Sequence, residues 1–321
     1  MSRYRRDFAT YYSQAIMPAL RRLSYYLRRA LYGHILNSLW APDRQRRARR
    51  RAVYFRLIED YVADIPVIDP PVFLPSCRQT PRIFSIWLHG ADNAPALVRT
   101  CWNSIRHYSG LELVILDHES LRQWIDLPAH IMQIWESGKM RPAHFADICR
   151  VELLWKYGGI WMDATDYMTH PLPDFVLQQP FFMYISGDDE RGSYPYVQNC
   201  FIRSEAHNPL LGAWRQCIHE YWKRETTALD YFIHQQLFYH VIRHSRTAKA
   251  LFDQMPHIHH DCTHVIWYGR YIDAEYDPAH FQALTRDGAF QKTAYNTYST
   301  TSPVPGSNAD HIINSFPSAS S

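Results

Sequence analysis

Between residues 83 and 163 the sequence alternates between two hydrophobic periods, and this restricts the fold more than any other feature. IFSIWLHG (83–90) is a β-branched and aromatic run ending in Gly. PALVRTCWNSIRHY (95–108) places Leu97, Cys101, Trp102 and Ile105 at helical spacing. LELVILD (111–117) is a second apolar run, and residues 119–136 are helical in parts around Pro128. AHFADICRVELLWKY (143–157) is a strong helix and IWMD (160–163) a third strand. Strand, helix, strand, helix, strand predicts an α/β fold around a largely parallel sheet covered on both faces. FFMYI (181–185) and YVQNCFIR (196–203) extend that sheet, and a helix-rich stretch runs from 209 to 253. With 321 residues, 46% of them hydrophobic, the chain can supply one catalytic domain of roughly 200–250 residues and an appendage.

The run YGGIWMDATDY (157–167) drives an apolar strand into Asp163, with Asp166 three residues later. A solvated turn accepts Asp readily. A carboxylate closing a buried strand, however, is costly to desolvate unless a positive group meets it. In open α/β sheets ligands gather beyond the carboxyl ends of the strands, which is where Asp163 falls. A hard divalent cation bound through oxygen is one suitable partner; Thr165 would add a hydroxyl and Asp166 a second carboxylate. On the preceding helix Asp147 and Arg150 are three apart and share a face. Spacing alone makes them a surface ion pair. The helix is expected to stop at Gly158-Gly159, where a left-handed C-terminal residue favours Gly.

Charge is distributed unevenly. Residues 1–51 hold thirteen Arg and no Lys against Asp7 and Asp43, a net of +11. The whole chain carries +3, so the remaining 270 residues carry −8. Residues 14–40 read as an amphipathic helix with Ile16, Leu20, Leu23, Leu27, Leu31 and Ile35 on one stripe and Arg21, Arg22, Arg28 and Arg29 off it. Tyr25, Tyr26, Tyr32 and Trp40 add rings suited to a lipid headgroup zone, and RQRRARRR (44–51) follows. Two readings stay open: the Leu face packs on the body, or residues 1–51 bind an anionic membrane surface. Nucleic acid is not expected, because no recognition module accompanies the arginines. No run reaches the ~18–20 apolar residues that span a bilayer. Six scattered Cys without a CxxC pair fit reduced thiols in the cytoplasm. The expected location is therefore cytoplasmic, peripheral to the inner face of the membrane.

HFADICRVELLWKYGGIWMDAT (144–165) resembles the capsular polysaccharide synthesis proteins, which belong with the DxD-type sugar transferases of glycosyltransferase family 32. IFSIWLHGADNAPALVRTCWNSI (83–105), VQNCFIRSEAHNPLL (197–211), DYFIHQQLF (230–238) and QKTAY (291–295) are similar to other blocks of that family, in the same order. The resemblance covers about residues 80–298. It implies a GT-A fold, a Rossmann-like mixed sheet flanked by helices that binds a nucleotide-sugar. Three segments follow: a basic helical extension (1–65), the transferase domain (66–299) and a disordered Ser/Pro-rich tail (300–321).

Carried over position by position, the resemblance implies that Asp163 contacts the metal and the donor. Asp147 and Arg150 would hold the donor's sugar or nucleotide, and Trp87 and Gly159 would also belong to the donor pocket. Asn199 would line the donor–acceptor cleft, and Lys292 would meet the departing diphosphate. Asp163, Thr165 and Asp166 would hold Mn²⁺ or Mg²⁺, and a UDP-sugar would be the donor. The acceptor would be a glycan or lipid-linked glycan, with retention at the anomeric carbon. A strict Asp-x-Asp needs Asp at 165, where this chain has Thr. That departure keeps an inactive GT-A scaffold as an alternative, alongside transfer to protein acceptors. The His-rich HIHHDCTH (257–264) matches no zinc-finger spacing, and Cys149 reads as a buried core thiol.

Overall fold

The structure is a computed structural model that describes residues 16–38, 43–69, 80–186 and 196–316. Its core is a five-stranded sheet of order β2-β1-β3-β6-β5. The strands are β1 (Ile83–Ile86), β2 (Leu113–Leu116), β3 (Gly159–Met162), β5 (Phe181–Ile185) and β6 (Val197–Ser204). A separate two-stranded sheet joins β4 (Asp166–Met168) to β7 (Phe290–Lys292). The β2-β1-β3 half is parallel, as the helical crossovers require. The β3-β6-β5 half is antiparallel, so the sheet is mixed rather than largely parallel. Antiparallel β6 lies directly beside β3, so the chain enters the site region from two directions.

Seven helices matter for the site and its surroundings: α1 (Met17–Ser38), α2 (Asp43–Val62), α3 (Ala96–Ser109), α4 (Pro142–Tyr157), α5 (Pro209–Arg224), α6 (Ile233–His244) and α7 (Asn308–Asn314). Helix α4 is buried over most of its length, from His144 to Leu154. Pro142 opens it, where the missing N–H costs nothing. Asn208 caps α5 by accepting from the Leu210 and Leu211 amides. Trp161, Trp214, Trp222, Phe84, Phe201 and Phe238 fill the core between helices and sheet.

The turn between α4 and β3 needs both glycines, but not as a left-handed cap. Gly158 has φ 64 and ψ −164, extended backbone of the mirror hand, and Gly159 has φ 105. A Cβ on Gly159 would stand 2.5 Å from the Arg82 carbonyl oxygen, and one on Gly158 would stand 2.6 Å from the Ala206 amide nitrogen. Only Gly lets the neighbouring backbones close on this turn. Gly159→Ala is expected to lower stability by roughly 3 kcal/mol. Chemical denaturation checks this, and a midpoint shift within error would contradict it.

One expectation needs correction. Residues 300–316 are not disordered: Tyr298–Thr301 and α7 are helical, with Ala309 and Ile312 buried. Helix α3 presents Leu97 and Cys101 on its outer face, and α7 covers them together with Tyr167, Ile266 and Phe281. The Thr100 hydroxyl donates to the Ile313 carbonyl and the Tyr167 hydroxyl meets Ser315. A polar-looking tail is thus held by a small apolar cluster that only the fold reveals; residues 317–321 lie outside the described residues. The basic run 44–51 lies within α2, whose later turns bury Leu57, Ile58 and Val62 in the main core. Residues 1–15, 39–42 (with Trp40) and 70–79 also lie outside the described residues. The described cysteines are free thiols.

Candidate active site

Strand β3 ends at Met162, so Asp163 stands at the carboxyl edge of the sheet, its amide bonded to the Cys200 carbonyl of β6 at 2.9 Å. Its side chain is gripped from three sides. The Trp161 indole N–H donates to Oδ1 at 2.8 Å. Arg150 reaches Oδ1 at 3.3 Å from α4, and the Lys292 ammonium donates to Oδ2 at 2.7 Å. Burial alone would raise this carboxyl. The Lys292 and Arg150 charges outweigh burial and hold it below the ordinary carboxylate range.

Lys292 arrives from 129 residues away, carried by the β4–β7 ladder that pairs it with Asp166. The Thr293 amide and hydroxyl both donate to the Thr165 carbonyl, which fixes the register beside it. The Lys292 ammonium therefore sits among Asp163 Oδ2, Thr165 Oγ1 (2.7 Å) and Asp166 Oδ1 (3.4 Å). These are the three residues expected to hold a metal; here the position that their oxygens share is taken by the Lys292 ammonium. Asp166 Oδ1 is buried and makes no hydrogen bond, so its polar neighbour at that point is the Lys292 ammonium of the ion pair. Hard oxygen donors converging on a single positive charge fit a divalent ion chemically. Burial, opposed by the Lys292 charge and aided by neighbouring Asp163, raises the Asp166 carboxyl to about 8.

The Asp147–Arg150 pair is not on the surface. Both residues are buried, 7% and 5% exposed. Asp147 Oδ1 takes the Arg150 guanidinium at 2.9 Å and the Asn199 side-chain amide at 2.9 Å. Arg150 also donates to the Asn199 carbonyl and lies over the Trp161 ring, 4.8 Å from its centroid. Arg150 outweighs burial and keeps the Asp147 carboxyl below its usual range. Asn199 in turn accepts from the Gln235 amide at 2.9 Å. One planar fork thus ties α4, β3 and β6 together.

Sequence reasoning missed the residues behind Asp147. His234 of α6 points Nδ1 at Asp147 Oδ2 across 3.4 Å, and His144 Nδ1 lies 3.8 Å from the same oxygen. His144, Asp147 and His234 are close enough to share an ion, but the hydrogen bonds argue otherwise. The Trp222 indole N–H donates to His234 Nε2 at 3.1 Å, so Nε2 is the acceptor and Nδ1 carries the proton. A protonated Nδ1 has no lone pair for a metal. Burial also pushes His234 down to about 3 and keeps the ring neutral. His234 is thus a neutral neighbour of a buried carboxylate rather than a metal ligand. The only early signal was the block containing His234 and Gln235, to which no role was attached.

The remaining expectations divide. Trp87 follows β1 at the same sheet edge, its amide bonded to the Leu116 carbonyl, its ring edge-on to Tyr295 at 4.9 Å. Its indole N–H is buried without a partner. Gly159 does not join the site. It begins β3 whereas Asp163 follows its end, about 13 Å away at the rise of a strand. It lines a cavity of about 610 Å³ with Arg82, Tyr157 and Arg203 at the opposite sheet edge, and its role is the turn. Cys149 is an inert core thiol pushed well up by burial. In the His-rich segment, His260 and His264 are tied to the backbone carbonyls of Ile185 and His260, while His259 pairs with exposed Asp261.

The family described as capsular polysaccharide synthesis protein matches residues 39–311. The chain belongs to that family. The O-glycosyltransferase braB of Annulohypoxylon truncatum is 27% identical over 172 residues, 49% of this chain and 41% of that protein. The chain therefore spans about two-fifths of the length of the curated relative it matches. Among solved structures, the PaToxG Glycosyltransferase aligns with 64% of this chain and 83% of its own at 16% identity. The TM-score is 0.32, too low to bear on the fold. The family block and the polar cluster coincide: the matched span contains every residue from Trp87 to Lys292 described above.

Proposed function

We propose that this protein is a glycosyltransferase that moves a sugar from a nucleotide-sugar, a UDP-sugar, onto a hydroxyl of a glycan or lipid-linked glycan in surface polysaccharide synthesis. The observation that carries the reading is Asp163 at the carboxyl edge of the sheet, held between Arg150 and Lys292. Family membership and the O-glycosyltransferase name of the curated relative support the reaction class and an oxygen acceptor.

The chemistry follows from where charge develops. As the bond between the anomeric carbon and the diphosphate oxygen breaks, the electron pair stays on the diphosphate. The Arg150 guanidinium and the Lys292 ammonium face that growing negative charge. The sugar gains oxocarbenium character, which the Asp163 carboxylate and the Asn199 amide oxygen stabilise. The acceptor hydroxyl then bonds to the anomeric carbon and its proton passes to the departing diphosphate; retention places that attack on the face the diphosphate leaves. A divalent ion, Mn²⁺ or Mg²⁺, held by Asp163, Thr165 and Asp166 would supply further charge neutralisation to the diphosphate. Trp87, with its unpaired indole N–H beside exposed Tyr295, is suited to the nucleotide end.

An inactive scaffold is the second reading, and Thr165 in place of a carboxylate favours it. One experiment separates the two and tests the first. At a hundredfold excess over its dissociation constant, a UDP-sugar is expected to raise the melting temperature by about 5 °C, since such binding adds about 2.7 kcal/mol. A screen of UDP- and GDP-sugars with and without Mn²⁺ measures this and reports the metal requirement. Slow hydrolysis of the stabilising sugar identifies an enzyme; stabilisation without turnover on any acceptor identifies a scaffold. No shift with any nucleotide-sugar, with or without metal, removes both. Among the described residues no helix is long and apolar enough to cross a membrane, and a peripheral location at the inner membrane face is part of the proposal.

A further inference from the structure

Of the two readings of the N-terminal helix, the structure overturns the one in which its Leu stripe packs on the body. Helix α1 turns its basic side inward: Arg22 pairs with buried Glu225 at 2.8 Å, Arg28 with Asp60 at 2.6 Å and Arg21 with Asp64. Arg29 donates to the Leu229 carbonyl at 3.2 Å and stacks over Tyr54. Among the described side chains of α1, Tyr25 is the one in the main core, edge-on to Tyr61. The stripe of Leu20, Leu23, Leu27 and Leu31 faces outward, each residue 51–60% exposed. Tyr26 and Tyr32 flank it and are exposed as well.

This inversion has a physical cause. The body carries the chain's acidic excess, so the arginines of α1 are drawn onto its carboxylates. The opposite face of the same helix, four leucines at three- and four-residue steps, is then the part left in water. Isolated exposed leucines are ordinary, but a continuous stripe along one helix is a binding surface.

We propose that the Leu20–Leu31 stripe of α1 inserts into the headgroup–acyl boundary of an anionic membrane, with the arginine clamp holding the helix in place on the enzyme. The inference gives a mode of attachment to the peripheral location and stands separately from the glycosyl-transfer reading. Charge complementarity selects lipid over a second copy of the chain. The sequence flanking the stripe is basic at both ends, with Arg3, Arg5 and Arg6 before it and six arginines between 44 and 51 after it. A two-fold partner would bring like charge against like charge. Anionic headgroups attract both ends, and the tyrosine rings match the interfacial layer. Arg51 and Arg56 of α2 are exposed on the neighbouring helix.

The test is co-sedimentation of the full chain with vesicles of phosphatidylcholine alone and of phosphatidylcholine containing about 30% phosphatidylglycerol. Wild type is expected to bind the anionic vesicles, with binding weakened by salt. The Leu23→Glu/Leu27→Glu double variant is expected to lose at least about tenfold in partitioning. Both positions are exposed, so the melting temperature and the nucleotide-sugar shift are expected to stay at wild-type values. Equal binding by wild type and double variant overturns the proposal, as does failure of wild type to bind anionic vesicles. A wild-type dimer that the double variant converts to monomer also overturns it, because a second copy then covers the stripe.

Discussion

Asp163→Asn is expected to lower turnover of the nucleotide-sugar by about three orders of magnitude while leaving the protein folded. The substitution keeps the shape and one oxygen for the Trp161 indole, but removes the charge that Arg150 and Lys292 share. Loss of a single preorganised electrostatic contact costs on the order of 3–4 kcal/mol of barrier. Here one residue serves two cations and the developing sugar charge, so the upper end of that range applies. Asp163 is partly open, with 24% of its side chain exposed, and water can solvate what the carboxylate leaves behind. Turnover and melting temperature measured on the same preparation check both halves. A variant with near-wild-type turnover would remove Asp163 from the chemistry, and an unfolded one would make its role structural.

Asp147→Ala is expected to have the opposite profile, with a loss of about 3–5 kcal/mol of stability together with activity. The Asp147 carboxylate is the principal counter-charge of a buried guanidinium. It also receives the Asn199 amide and faces two buried imidazoles. Its removal leaves Arg150 with the Asn199 carbonyl and a longer contact to Asp163, and an underpaired buried charge is severe. Asp147→Asn should fall between, because the amide oxygen still accepts from one donor. Denaturation midpoints of the three proteins give the order directly. A stable, active Asp147→Ala protein would mean that Arg150 is positioned by something other than this carboxylate.

The two variants test the proposal that Asp163 acts in the chemistry at an open edge while Asp147 holds other groups in place behind it. That distinction was invisible in the sequence, where Asp147 and Asp163 are simply two acids in a specific block. The difference lies in burial, and burial follows from how α4 is sandwiched between the sheet, α5 and α6.

The sequence by itself determined what depends on near neighbours along the chain. Helical and strand periods are set within a few residues, so the α/β alternation from β1 to β3 was legible, as were Asp163 at a strand end and the shared face of Asp147 and Arg150. The Gly158-Gly159 turn was legible too, although its true dihedrals were not. The tertiary structure decided everything that depends on distant contacts. Lys292 enters the Asp163–Thr165–Asp166 oxygens only because β7 pairs with β4. Gly159 is excluded because a strand has two ends and only one faces the site. His234 reaches Asp147, α7 covers α3, and α1 turns its leucines outward, through contacts between residues dozens to hundreds of positions apart. Periodicity marks which side of an element is apolar. Packing and charge across the whole molecule decide whether that side is buried or left to meet a partner.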